Sequence, residues 1–498
     1  MLLRLLRVVA AVLTLAGPAS PVVGNGTPAL PGCASTSRLL RYVVLFDAGT
    51  PDQRAAREVR VACGTSTAYY PQIGVGVATS ADPGFAARFG TTRAYSAQGE
   101  AVASPAVPPT TARLPAAVQA LSVDRSAEQW DMEMIHAPQA RKINRGRPDV
   151  VVGVLDSGVD ATHPDLAAAV DPTRSAGCLS GSPDQSPSAW NPTTSVHGTH
   201  VAGTIAAADN GRGISGVAPG VRLASVKVVD DDGFIYPEYA VCGFMWAARQ
   251  QLRIANSSYS LDPWLLTCSD MPGQAVAYEA VRRAVQYATA HGVLSIAATG
   301  NEHMDLANPR QDLRSPDNAP DPRPRPVDRH CNVLPAELPG VVAVSAIGAQ
   351  RIKAGYSSYG LGVVTVTAPG GDWAQPPGVS PSGCVLSTVP GGYGYACGTS
   401  MATPHVSGVA ALLASERPEA GPDELATLLR QQANPLPCPR LDNHVLDQPD
   451  AACAGGTGNG FYGHGLVDAL KAVTTLEAVT TQPRPDSADV ARTYRTER

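Results

Sequence analysis

Residues 149–156 read DVVVGVLD. Between two aspartates lies an unbroken apolar run, with none of the polar alternation of a strand that has one wet face. A strand buried on both faces requires such a run. HGTHVAGTIAAA (197–208) is helix-like and rich in glycine and alanine, so it can pack closely on a neighbour. VRLASVKVV (221–229), RIANSSYS (253–260), GVLSIAATG (292–300) and GVVAVSAIG (340–348) are further strand candidates, with helical stretches at 238–250 and 274–291. Strand–helix alternation at this spacing predicts an α/β domain with a mainly parallel sheet. Such sheets bind ligands beyond the carboxyl ends of their strands. Asp156 ends one strand and Asn301 follows another, after Gly300, so both are expected on the same rim.

The flanks have a different composition. Arg4 and Arg7, an apolar stretch Val8 to Ala16 and a Gly17-Pro18-Ala19 end give residues 1–24 the layout of a secretory signal peptide. No later apolar run approaches the length of a membrane span, so none is expected once this segment is removed. Residues 38–95 read as a small unit, with strands in 41–49 and 73–80 and helices in 51–62 and 81–89. The Pro-, Ala- and Thr-rich stretch within 96–128 reads as a linker, the main domain as 129–475, and 476–498 as a polar tail. Residues 302–335, dense in proline and aspartate, are expected to form a long surface loop pinned at Cys331. A net charge of −5 gives no electrostatic case for nucleic acid. Ten cysteines in an exported chain suggest disulfides. Loop closure alone pairs Cys33 with Cys63, Cys268 with Cys331, Cys384 with Cys397 and Cys438 with Cys453, leaving Cys178 and Cys242 over.

The chemistry centres on GTSMATPHVSGVAALL (398–413). Ser400 opens an apolar helix, where a serine serves either as an N-cap or as a nucleophile favoured by unpaired N–H groups. Pro404 suits the first turn of such a helix, since its missing N–H is harmless there. His405 is a poor base for Ser400: five helical positions turn the side chains by roughly 140° and separate them by about 7.5 Å. It reads instead as a buried, hydrogen-bonded histidine. His197, at a helix start beside glycine, is the better base, and Asp156 can accept its other N–H. His197 and His200 also have the spacing of a metal pair, but HExxH and a third ligand are missing. Together Asp156, His197 and Ser400 supply the parts an activated serine requires.

VVVGVLDSGVDATHPDL, HGTHVAGTIAA, IAATGNE and GTSMATPHVSGVAALL, in this order, resemble the signature segments of subtilases, the subtilisin-like serine proteases. The order Asp–His–Ser is that of subtilisin. The resemblance runs from about Gln129 to Thr475 and implies a three-layer fold with a mainly parallel central sheet, preceded by a small α+β propeptide. It implies Ser400 as nucleophile, His197 as general base, Asp156 as its orienting partner and Asn301 as oxyanion donor beside the Ser400 N–H. Peptide bonds of polypeptide substrates would be hydrolysed through an acyl-enzyme. Ser258, Tyr259, Ser260 and Gly233 match positions that pair with an extended substrate. Asp165 and Asn210, with main-chain oxygens of Ala208, Arg212 and Ile214, match a structural calcium site, the alternative being an Asn-Gly turn beside a surface aspartate. The 38–95 unit resembles the propeptide that inhibits such enzymes, with self-cleavage between Ala94 and Gln129, secretion and a monomeric product implied. Competing readings are a catalytically silent subtilase fold that only binds, and an esterase, although the nucleophile lacks the G-x-S-x-G elbow.

Overall fold

The computed structural model describes residues 32–36, 38–100, 123–319, 324–439, 453–456 and 458–475. The expected signal segment, most of the linker and the polar tail lie outside the described residues.

The N-terminal unit is an antiparallel sheet of β1 (Leu40–Leu45), β2 (Thr65–Tyr70), β3 (Val75–Ser80) and β4 (Ala94–Tyr95), in the order β2-β3-β1-β4, with helix α1 (Asp52–Val61). β2 is a strand that composition hid: TSTAYY is polar and half-exposed, and it is held by β3 rather than by its own burial.

The main domain is built on a seven-stranded sheet, every paired neighbour parallel. Its strands are β5 (Val151–Asp156), β6 (Ala176–Gly177), β7 (Arg222–Lys227), β8 (Ile254–Ser257), β9 (Leu294–Ala298), β10 (Val342–Ile347) and β11 (Val366–Pro369), in the order β11-β10-β9-β8-β5-β7-β6. Side chains of β5 alternate between two cores. Val152 and Val154 join one face with α2 (His197–Ala206) and α5 (Thr399–Glu416), while Val151 and Leu155 join the other with α3 (Pro237–Arg249) and α4 (Gln274–Ala290). Both faces are therefore dry, which is why the run carries no polar residue. Each such side chain contributes about 1.5–3 kcal/mol of burial. Glycine earns its place in α2 at Gly203, where a Cβ would come 2.3 Å from Thr388 Oγ1.

From β5 the chain goes to β6 and β7 on one side, then crosses to β8 on the other. The strand order reverses at the β5/β8 boundary, and a crevice opens there at the carboxyl ends. Asp156 and Ser258 stand at that point.

The N-terminal unit covers α3 and α4. Val43, Leu45, Ile73, Val75 and Tyr95 belong to the same apolar cluster as these helices. Arg283 Nη1 donates to the carbonyls of Phe46 (2.8 Å) and Ile73 (3.1 Å), and Tyr70 donates to Gly181 O (2.9 Å).

All four disulfides expected from loop closure are present. The leftover cysteines also pair, Cys178 beyond β6 with Cys242 in α3, across a separation of 64 residues. The 302–335 region is less superficial than its composition implies. Cys331–Asn332 pairs with Thr267–Cys268, Leu306 and Val333 are buried, and buried Asp312 is bridged to Arg325 at 2.8 Å.

Candidate active site

Asp156, 1% exposed at the end of β5, faces His197 at the start of α2. His197 Nδ1 lies 2.8 and 3.0 Å from the two oxygens of the Asp156 carboxylate. The proton of a neutral imidazole is therefore held at Nδ1, leaving Nε2 as the acceptor. Desolvation would lower the imidazole pKa, but the charge and hydrogen bond of Asp156 outweigh it, and His197 stands above its ordinary value. The pair is tightly housed: a Cβ on Gly198 would come 2.4 Å from the Gly158 carbonyl.

Ser400 lies in the first turn of α5. Its hydroxyl donates to the Ser258 carbonyl at 2.9 Å, and among the described residues no hydrogen bond joins it to His197. The expectation that Pro404 sits in the first turn needs correction, because α5 begins at Thr399 and places the proline in its second turn. There it withholds the N–H that would bond the Ser400 carbonyl. Ser258 Oγ donates to that carbonyl instead, at 2.9 Å, and itself accepts from Asn256 Nδ2. Ser258 and Ser400 thus hold each other by reciprocal bonds.

Asn301 follows Gly300, whose φ of +95° turns the chain at the end of β9. Its Oδ1 accepts from the N–H and the hydroxyl of Thr399, both at 2.9 Å. A backbone N–H can only donate, so the amide orientation is fixed, and Nδ2 is a donor with no acceptor among the described residues. Asn301, Ser260, Tyr259, Gly233, Thr399 and Ser400 line one cavity of about 280 Å³, which brings the expected nucleophile, oxyanion donor and three of the four substrate-pairing residues together, Ser258 not being part of its lining.

The other histidines stand apart from this chemistry. His405 is fully buried, with Nδ1 2.8 Å from the Met401 carbonyl and Nε2 3.0 Å from Asp131. It ties α5 to the N-terminal edge of the domain, as its position on the packed side implies. Asp131 and the bonds of Thr399 to Asn301 escaped the sequence reading; Thr399 stands beside Ser400 in the sequence, whereas nothing marks Asp131. His200 is buried with Nε2 facing the Val385 and Gly394 carbonyls, and burial first, then His197, lowers its pKa to about 3. Facing two acceptors, Nε2 is a donor and no metal ligand.

Asp165 is 2% exposed rather than superficial. Its carboxylate accepts from Tyr393 Oη (2.8 Å), Asn210 Nδ2 (3.3 Å) and the Ile214 N–H (3.4 Å). Asn210 Oδ1 is engaged by the Arg212 N–H at 3.0 Å. A calcium ion requires oxygens pointing inward, and here donors point at the carboxylate. As arranged, the side chains of Asp165 and Asn210 do not fit the ion.

The model of the subtilase family matches residues 147–465. Fervidolysin of Fervidobacterium pennivorans is 32% identical over 327 residues, 62% of this chain and 40% of that protein. Subtilisin NAT of Bacillus subtilis subsp. natto is 32% identical over 292 residues, 58% of this chain and 61% of its own length. The chain thus spans less than two thirds of either relative. The solved structure of the epidermin leader peptide processing serine protease (EpiP) from Staphylococcus aureus superposes with a TM-score of 0.66 at 19% identity, covering 89% of this chain and 100% of that one, a likeness of fold. The family match takes in both sides of the crevice, from before β5 to beyond α5, and this chain belongs to the subtilase family.

Proposed function

We propose that this chain is a serine endopeptidase of polypeptide substrates, exported and made as a precursor that cleaves itself. The observation that carries the reading is the Asp156–His197 hydrogen bond at the strand-order reversal, with Ser400 and the oriented amide of Asn301 in the adjoining cavity. In the reaction, Ser400 Oγ turns from the Ser258 carbonyl toward His197 Nε2, surrenders its proton there and attacks the substrate carbonyl. Asp156 keeps Nδ1 protonated and stabilises the imidazolium. Asn301 Nδ2 and the Ser400 N–H, in the unpaired first turn of α5, receive the negative oxygen. His197 then returns the proton to the departing amine, leaving an ester on Ser400. Water repeats the sequence and frees the acid. Ser258–Ser260 and Gly233 are the edges along which an extended peptide would pair.

The N-terminal unit supports the precursor part of the reading. Tyr95 Oη accepts from Trp264 Nε1 at 2.6 Å, and the Ala97 carbonyl accepts from Asn318 Nδ2 at 3.0 Å. Asn318 adjoins Asp317, which lines the cavity, so the chain leaves this unit beside the cleft it would block. Purified Ser400→Ala should accumulate at precursor size and resist a serine-directed phosphonate, while the parent chain matures and is labelled. Maturation and labelling of Ser400→Ala would overturn the assignment, and a folded parent chain that takes no label would favour a silent binding protein.

A further inference from the structure

The cavity beside Ser400 has an unusual wall. Asp262, Glu302 and Asp317 line it, against the single guanidinium of Arg314. Arg314 is already engaged: its Nη1 lies 2.7 Å from Glu302 Oε1, while Glu302 Oε2 accepts the Asn301 N–H at 2.7 Å. Glu302 is thereby satisfied. Asp317 is not. Asp262 Oδ2 accepts from the Ile235 N–H at 2.6 Å, and Asp317 Oδ1 is buried with no hydrogen-bond partner among the described residues. The two carboxyl groups interact directly, and burial first, then the charge of Asp317, drives the Asp262 pKa well up. Two desolvated carboxylates in contact each disfavour the ionisation of the other. Tyr259, 8% exposed, lines the same space. The remaining walls near the nucleophile, Ala298 and Gly300, are small and leave room for a long side chain.

Resting on the endopeptidase reading, we infer that Asp262 and Asp317 make this cavity a receptor for the lysine or arginine side chain of the residue whose carbonyl Ser400 attacks. The cavity is lined by Ser400 and Asn301 themselves, so the side chain one bond from the reacting carbonyl is the one it receives. A cation entering it allows both aspartates to ionise and supplies N–H groups to the unpaired Asp317 oxygen. A guanidinium can satisfy the two carboxylates at once. Asp317 comes from the 302–335 loop and Asp262 from the turn after the substrate-pairing segment, so the pocket is assembled from two loops.

The test uses the purified full chain, with Ser400→Ala as the blank, on fluorogenic peptides that differ only in arginine, lysine, phenylalanine, leucine or glutamate before the cleaved bond. The expected kcat/KM for arginine or lysine exceeds that for phenylalanine or leucine by about 10- to 100-fold, the range of one charge-assisted contact. Asp317→Asn is expected to lower the arginine-to-phenylalanine ratio by about 10-fold, chiefly through KM. Asp262→Asn should do likewise. Because Asp262 also anchors Ile235, Asp317→Asn is the decisive variant, with a thermal melt to establish its fold. Equal cleavage after apolar and basic residues, or ratios unmoved in the variants, overturns the inference while leaving the endopeptidase standing. A chain that cuts none of the peptides and takes no phosphonate label overturns both.

Discussion

Replacing Asn301 by alanine removes one of two N–H donors available to the oxyanion and leaves the Ser400 N–H. Loss of one such donor lowers kcat by about 10²–10³, a range that comes from subtilisin, a relative of this chain. The structure adds a second, graded perturbation. Asn301 Oδ1 is held by two Thr399 donors, the N–H and the hydroxyl, each at 2.9 Å. Thr399→Val deletes the hydroxyl and keeps the N–H, so the amide stays oriented but is held by one bond instead of two. One neutral hydrogen bond is worth about 0.5–1.5 kcal/mol. If all of it is spent on orientation, kcat falls by about 2- to 13-fold. KM should barely move in either variant, because the oxyanion exists only in the transition state. In the Asn301→Ala background Thr399→Val should add almost nothing, since there is no amide left to hold. Steady-state kinetics on one peptide anilide, with melting curves to show intact folds, measure all four corners of the cycle. Additive losses, or a Thr399→Val defect as large as that of Asn301→Ala, would refute this account of the amide.

Three further outcomes are expected. Asp156 holds the His197 pKa above its ordinary value, and a base works only when unprotonated, so kcat/KM should rise with pH through a midpoint above that of a free imidazole; in Asp156→Asn that midpoint should drop and kcat fall by about 10⁴. An unchanged acid limb in Asp156→Asn would contradict the pairing. Replacing Cys178 and Cys242 by alanine opens a 64-residue loop, and chain entropy sets the loss at about 4 kcal/mol. Urea unfolding of the inactive Ser400→Ala chain measures it, and a loss below about 1 kcal/mol would show that loop entropy is not what the bridge supplies. With donors filling the Asp165 carboxylate, a calcium chelator should move the melting temperature by less than about 2 °C; a larger drop, reversed by calcium in the parent chain but not in Asp165→Asn, would restore the ion.

The parallel sheet was legible because burial on both faces leaves a one-dimensional mark, the unbroken VVVGVL of residues 150–155 that runs into and along β5. The crevice followed, since Asp156 ends one strand, Asn301 closely follows another, and strand ends share a rim. β2 was hidden because its residues are polar and its partner supplies the order. The Cys178–Cys242 bridge was hidden because loop closure favours short spans, whereas the fold sets β6 beside α3. In the same way Asp131 meets His405, and Asp262 meets Asp317, only after long excursions of the chain. Residues were recognisable where a local constraint shapes composition. They were silent where the constraint is an encounter between distant loops.

Pro404 has a consequence for how the nucleophile is located. A serine placed only by its helix would drift whenever that helix slid or tilted on the sheet. The proline frees one carbonyl from the helical ladder, and Ser258 takes it while lending its own carbonyl to the Ser400 hydroxyl. Ser258 opens the segment along which a substrate would lie. The attacking oxygen is thereby gauged against the track that carries its target, and a small shift of α5 need not change the distance between them.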